Sequence, residues 1–437
     1  MKYLSCIILF LAASTMSLAQ ESFTLQEAIE YAQRNHNDIR SAQLNVEDAR
    51  FQIRETAAIG IPQLSGEITY NHYLKLKESL VPIDFFDPES ETIKVAFGAK
   101  NNFAGGLSMS SLVFDFSYIV GLKAAKELKE LTQKQLNLSH QQVSNNVRDA
   151  YVATFIIQIT EETLQKNITN LEKTLYETQQ LYENGFVEQL DVDRLELSLS
   201  NLGVDLKKLT EQKAVLLNVL KFQMGYPMND DIVLTDNIET LKQDALSVII
   251  PEGNLDYSMR RELEVFDKQL VLNELNIKRI RAGHYPNLYA FAEYGQYLEG
   301  NRIIKNGVWL NSAFIGFQIS IPIFDGFQKK NSVARAQVNY EKIKLQKEEV
   351  ERAIVLQIKN ARVDYRNAVE SLEATERSLN LAQKIYDTTK IKYQEGVGSS
   401  IEVTQAEQSL YQSQANYNNA LYDLLLAKMR LDQAVGR

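Results

Sequence analysis

From Phe327 to Glu395 the chain contains neither glycine nor proline, sixty-nine residues in which nothing interrupts a helix. At 1.5 Å of rise per residue such a helix is roughly 100 Å long, several times the usual globular length. Apolar or small residues recur along it at alternating spacings of four and three: Ile354, Ile358, Ala361, Tyr365, Ala368, Leu372, Thr375, Leu379, Ala382, Tyr386, Thr389 and Tyr393. This is a heptad seam, narrower than the apolar face of a globular helix. It demands a partner of equal length.

The partner lies in the same chain. Shifted back by 211 positions, the seam falls on Val143, Val147, Ala150, Thr154, Ile157, Glu161, Leu164, Ile168, Leu171, Leu175, Thr178 and Tyr182, and only Glu161 breaks the stripe. The run Leu122 to Asn184 also lacks glycine and proline. At the same shift Gly185 meets Gly396, Leu190-Asp191-Val192 meets Ile401-Glu402-Val403, and Gly225 meets Gly436. The register predicts an internal duplication: a first repeat over 20–225, a connector over 226–255 and a second repeat over 256–437.

Composition narrows the compartment. The 437 residues carry a formal net charge of -9, and an acidic chain without a basic patch argues against nucleic acid as a partner. Residues 1–19 read as a signal peptide, with Lys2, the apolar run Ile7 to Ala13, and Ser17-Leu18-Ala19 before Gln20. The only cysteine, Cys6, lies inside it, so the exported chain has no disulfide framework, thiolate metal site or cysteine nucleophile. Beyond it no stretch reaches eighteen consecutive apolar residues. An exported chain of this kind enters a membrane, if at all, without helices.

Thr24-Leu25-Gln26-Glu27 reads as a capping box at a helix start, and a second helix follows from about Asp38 to Ile59. Past Pro62 the period changes to two: Leu64, Gly66, Ile68 and Tyr70 alternate with polar neighbours, the pattern of a two-faced strand. Lys75 to Ile93, with Pro82 and Pro88, reads as a long loop. A second strand carries Phe103, Leu107 and Met109, and Phe114-Asp115-Phe116 leads into the first long helix. A return helix over about Glu188 to Gln223 follows the turn at Gly185, and the connector holds one short helix. The second half repeats this order, with a helix ending at Tyr285-Pro286 and strands at about Asn287 to Tyr297 and Trp309 to Ile321. Phe324-Asp325 then precedes the long helix, and a return helix spans about Ser400 to Gln433. Tyr289 and Phe291 intrude on the face expected to be polar.

Four strands of roughly ten residues have the length and the two faces of outer-membrane barrel strands. Tyr70, Tyr294, Tyr297, Trp309, Phe114 and Phe324 lie near strand ends, where an aromatic girdle would sit. Four strands cannot close a barrel, and open edges are not tolerated in lipid. Two chains would pool eight strands around a filled interior, and three would pool twelve around a passage. The expected fold is therefore mainly α with a membrane β-barrel. Its duplicated unit combines long antiparallel coiled-coil helices with two strands, and a water-filled pore favours three or more copies pooling four strands each. Small seam residues (Ala361, Ala368, Ala382, Ala406, Ala420, Ala427) permit close helix approach in a hollow helical barrel.

These pieces together resemble the TolC-like outer-membrane efflux proteins. The resemblance is carried by Thr24 to Ile29 with Asn35, by the strand pairs after Pro62 and Pro286, by the turns Tyr182-Glu183-Asn184-Gly185 and Tyr393-Gln394-Glu395-Gly396, and by Gln433-Ala434-Val435-Gly436. It departs at Asn37-Asp38-Ile39, where the family usually places a proline. The resemblance implies a homotrimer in the outer membrane of a Gram-negative bacterium, its four strands per chain pooled into a trimeric twelve-stranded barrel, with helices extending into the periplasm. It also implies a periplasmic adaptor protein, an inner-membrane transporter reached through that adaptor, and contact with the lipid bilayer. The function it implies is a passive duct in a multidrug, metal or protein-secretion system. The competing reading is an exported coiled-coil scaffold or periplasmic adaptor without a pore, which would explain the long helices but not the paired amphipathic strands.

No catalytic constellation stands out, and neither a cofactor nor a metal is expected. His36, His72, His140 and His284 are far apart, with no pair at helical ligand spacing. The resemblance places a pore constriction beyond the helix turns, where spacing from the turn glycines selects Glu402 and Asp191. A ring of Glu402 carboxylates would select against anions and invite block by multivalent cations; where the family can carry a second acid this chain has Gln405. The competing account is that both acids favour a helix N-terminus. Adaptor docking falls on the tips, at Tyr182, Asn184, Gly185, Tyr393, Glu395 and Gly396.

Overall fold

The computed structural model describes residues 21–84, 86, 89–247, 257, 260–301 and 307–436. The expected signal peptide and part of the connector, 248–255, lie outside them. The elements are, in order, β1 (Glu21–Phe23), α1 (Leu25–Asn35), α2 (Asn37–Ala58), β2 (Gln63–His72), β3 (Glu78–Pro82), β4 (Thr92–Ala96), β5 (Asn101–Phe114) and α3 (Phe116–Glu183). There follow α4 (Gln189–Met224), β6 (Ile232–Leu234), α5 (Ile238–Leu246), α6 (Arg261–Ala282), β7 (Asn287–Gly300), β8 (Val308–Ser320), α7 (Gln328–Gln394) and α8 (Ser400–Val435). None of the described helices is long and apolar enough to cross a membrane. The chain divides into two compact units: one holds the described residues up to Val46 with Thr132–Phe266 and Gln346–Arg437, the other Glu47–Leu131 with Asp267–Leu345.

In the first unit the heptad seam is the core. Ile354, Ile358, Ala361, Tyr365, Ala368 and Leu372 of α7 are buried with Leu421, Leu424, Leu431 and Ala434 of α8. The matching stripe of α3, including Val143, Val147 and Ala150, packs with Leu220 and Met224 of α4 and with Ala28, Ile29 and Ala32 of α1. Glu161, the charged break in that stripe, is met from α4 by Lys213 and by the Thr210 hydroxyl at 2.6 Å. Burial pushes its carboxyl up, but these two partners outweigh burial and hold it below the ordinary range.

Helix ends follow the sequence closely. Thr24 and Glu27 form the capping box. The α1–α2 junction survives without proline because His36 is extended and its side chain accepts from the Asp38 amide at 3.1 Å. Gly225 and Gly436 both cap helix C-termini in the left-handed conformation. Arg260, buried, donates to the carbonyls of Gln433 and Ala434 at the end of α8 and pairs with Glu262. The connector holds α5, as expected, and also β6, which pairs in parallel with β1.

The second unit contains an antiparallel sheet in the order β2-β5-β7-β8. Register gathers Leu64, Ile68, Leu107, Met109, Ala292, Ala313, Ile315, Phe317 and Ile319 on one face. That face is bare: Ile68 is 76% exposed and Ile315 87%. The opposite face carries Ser65, Glu67, Ser108, Glu293, Ser312 and Gln318. Tyr289 and Phe291 do lie in these polar rows, and the reason for Phe291 is a glycine. Its ring lies over Gly316 so closely that an added Cβ there would sit 2.7 Å from it. The stretch read as a loop between β2 and β5 instead contains the hairpin β3–β4, with Leu80 opposite Lys94 and Val81 opposite Ile93. Its strands are only five residues each and themselves include Glu78, Pro82 and Lys94, which made the stretch read as irregular. The long helix α3 starts at Phe116, directly after Phe114-Asp115 as expected, and passes through Gly121; Asp115 caps it by accepting from the amides of Ser117 (2.6 Å) and Tyr118 (3.1 Å).

Glycine at 225 is required twice over, by its φ of +68° and because a Cβ there would meet His36 Cα at 3.1 Å, whereas Gly396 (φ +75°) faces open space. Gly396→Ala should cost about 1–2 kcal/mol of backbone strain. Gly225→Ala should cost at least about 1 kcal/mol more through overpacking, read as a larger drop in unfolding temperature in detergent.

Candidate functional site

The two helix turns, 184–188 and 395–399, are built alike. Gly185 (φ +78°) donates to the Tyr182 carbonyl and Phe186 to that of Leu181, both at 2.9 Å. Gly396 donates to Tyr393 at 3.0 Å and Val397 to Lys392 at 2.9 Å. This pair of bonds satisfies the last carbonyls of α3 and α7 and reverses the chain, and it needs a left-handed residue at the glycine. The residue after each glycine, Phe186 or Val397, is more than three-quarters exposed.

The turns bind one another through side chains. The Tyr393 hydroxyl, buried, bonds Thr178 Oγ1 at 3.4 Å, and Gln394 Nε2 donates to Glu177 at 3.0 Å. Burial holds the Tyr393 phenol above its ordinary value, with Asp191 adding to the shift and Thr178 opposing it. Beneath lies a small cluster of Ala382, Tyr386, Tyr393, Val403, Ala406 and Leu410. Tyr182, Asn184 and Glu395 stay on the surface, Asn184 donating back to the Gln180 carbonyl at 2.7 Å.

Asp191 and Glu402 occupy equivalent places six residues beyond the two glycines, yet their surroundings differ. One Asp191 oxygen accepts from the Glu188 amide at 3.2 Å, closing a capping box at the start of α4. The other accepts the Ser400 hydroxyl across the turn, with Arg194 at 3.7 Å. Arg194 also donates to Ser400 Oγ at 3.4 Å, so one serine of α8 ties down both residues of α4. Glu402 is exposed; Ser399 accepts from its amide at 3.4 Å, while its carboxylate meets no partner among the described residues.

Ser400 and Arg194 were not among the residues singled out from sequence. The run Ser399-Ser400-Ile401-Glu402 signals a helix start, but nothing in it shows that the second serine crosses to another helix. A third acid, Glu407, is buried one turn beyond Val403, and there only its place beside the seam positions Val403 and Leu410 gives a sign.

The outer membrane efflux protein family matches residues 28–221 and 259–437. The chain is 22% identical over 455 residues to the outer membrane protein TolC of Vibrio cholerae, spanning 100% of this chain and 96% of that one. It is 24% identical over 428 residues to the cation efflux system protein CusC of Escherichia coli O157:H7, spanning 94% and 85%. Among solved structures, CusC superimposes with a TM-score of 0.73 at 20% identity over 94% of this chain and 92% of the other. The CmeC outer membrane channel of Campylobacter jejuni does so with 0.73 at 17% over 94% and 85%.

Asp191→Ala removes a capping acceptor and the anchor of Ser400, and should cost about 1 kcal/mol or more at the α4 start. Glu402→Ala, losing no bond, should cost little. Limited proteolysis at the turns distinguishes the two variants, with only Asp191→Ala cleaved faster than the parent.

Proposed function

Because the chain belongs to the outer membrane efflux protein family, we propose that it is the outer-membrane channel of a tripartite efflux or secretion system, a passive duct from periplasm to exterior. It resides in the outer membrane of a Gram-negative bacterium, with its helices in the periplasm. A periplasmic adaptor, and through it an inner-membrane transporter, supplies the energy that this chain does not.

The observation that carries this reading is the four-stranded sheet. Its apolar face is bare and its outer strands β2 and β8 each pair on one side only. In hydrocarbon an unpaired strand edge leaves backbone groups unsatisfied at several kcal/mol apiece. Joining β2 of one copy to β8 of the next satisfies both edges, and three copies give twelve strands and a water-filled interior. The paired turns, the matched helices α3–α4 and α7–α8, and the equivalent capping glycines support a duplicated unit. An exported scaffold without a pore would leave this sheet without a purpose.

At the tips, Glu402 supplies a ring of carboxylates at the constriction. Asp191 is its second acidic position, with its charge already engaged by Arg194 and Ser400. The exposed turn around Tyr182, Asn184, Gly185, Tyr393, Glu395 and Gly396 forms the adaptor-docking surface, with Phe186 and Val397 as apolar contacts.

The purified protein should require detergent and migrate as a trimer; a stable monomer in plain buffer would overturn the channel. In planar bilayers Glu402→Gln should lower cation selectivity and relieve block by divalent cations. Unchanged selectivity and block would remove Glu402 from the constriction.

A further inference from the structure

Glu407 is only 1% exposed, and neither carboxylate oxygen has a hydrogen-bond partner of ordinary geometry. It sits on α8 among the cluster that closes the tip. From α7 it is faced by the Tyr386 hydroxyl and the Lys390 ammonium, the latter 3.5 Å from that hydroxyl, with Asp387 beyond. From its own helix it is faced by Tyr411. From α3, the uncharged Thr174 meets Tyr386. A charged carboxylate without hydrogen bonds is a costly occupant of such a site, and a neutral one is not. Nothing in helix capping or seam packing requires an acid at this position.

We propose that Glu407 is a proton-operated latch on the tip: protonated, it lets α8 pack against α7 and α3, and ionised, it loosens the first turns of α8. This deepens the channel reading by naming a regulator of its periplasmic end.

Burial pushes the Glu407 carboxyl up to about 7, against the opposing pull of Lys390 and Tyr386, from an ordinary value of 4.5. The sign follows from the raised value. Packing is fully favoured below about 4.5, loses stability as pH rises from there to about 7, and changes no further above it. Over that range the equilibrium between packed and loosened tip shifts by up to about 300-fold. At neutral pH the tip is therefore poised toward release, and acidification fastens it.

A nitroxide on a cysteine placed at exposed Gln405 reads the mobility of these turns in the detergent-solubilised full-length protein, with a second label at Lys207 of α4 as a remote reference. Mobility at 405 should rise from pH 4.5 to 7 and level off, while the label at 207 stays flat. Glu407→Gln should abolish the rise, and Glu402→Gln should leave it intact. Lys390→Met, which removes the cation favouring ionisation, should displace the rise to higher pH. A flat parent profile, a rise that survives Glu407→Gln, or no displacement with Lys390→Met each overturns the latch. Conductance measured in parallel separates the two ideas: a mobility rise in a protein that never conducts keeps the latch and rejects the channel.

Discussion

Backbone amides and carbonyls that lose water must find another partner, and the arrangement of the sheet turns on that requirement. Among the described residues β2 and β8 each have one paired and one unpaired edge, and the apolar face between them is left uncovered. In water such a face invites aggregation, and in lipid such edges are intolerable. Union with further copies removes both difficulties together. The polar rows also hold small residues where the strands cross, with Gly106 opposite Gly295 between Glu67 and Ser312. A Cβ on Gly106 would come within 3.1 Å of the Tyr294 carbonyl, so close approach there depends on its absence.

The helical unit answers a different problem. A seam of alanine and leucine at heptad spacing packs almost equally well when slipped by a turn, so apolar burial alone does not fix register. Polar bonds between helices do. Glu161 is fixed to α4 through Lys213 and Thr210, and Lys242 of α5 reaches Glu376 of α7 at 2.8 Å and Tyr417 of α8 at 3.2 Å. Lys428 of α8 sits between Asp244 and Asp432. Burial pulls Lys428 down, yet the two aspartates outweigh it and hold it above its ordinary value. Each of the pairs that joins two helices exists in one register only; Lys428 with Asp432 lies within α8.

Three acids near the turns show how environment divides residues of one chemistry. Asp191 is held by an amide, a hydroxyl and a guanidinium, Glu402 faces solvent, and Glu407 is enclosed with no hydrogen bond of ordinary geometry. The first serves a helix start and a cross-helix tie. The second is free to meet ions, and the third makes tip packing sensitive to protons.

The sequence by itself determined the long helices, their seams, the capping box at Thr24, the glycines at the helix turns and the alternation of the four strands. Each is a local rule, since a helix, a cap or a two-faced strand is specified by residues within a few positions of one another. It placed Asp191 and Glu402 beyond their turns for the same reason. The β3–β4 hairpin escaped because its strands are short and contain Pro82 and charged residues, and their pairing is decided across the loop. Only the tertiary structure decided that Ser400 closes on Asp191, that Phe291 covers Gly316 and that Glu407 is sealed from water. Those contacts join residues that are adjacent in space and not in the chain, and burial is a property of the assembled neighbours, which no local pattern encodes.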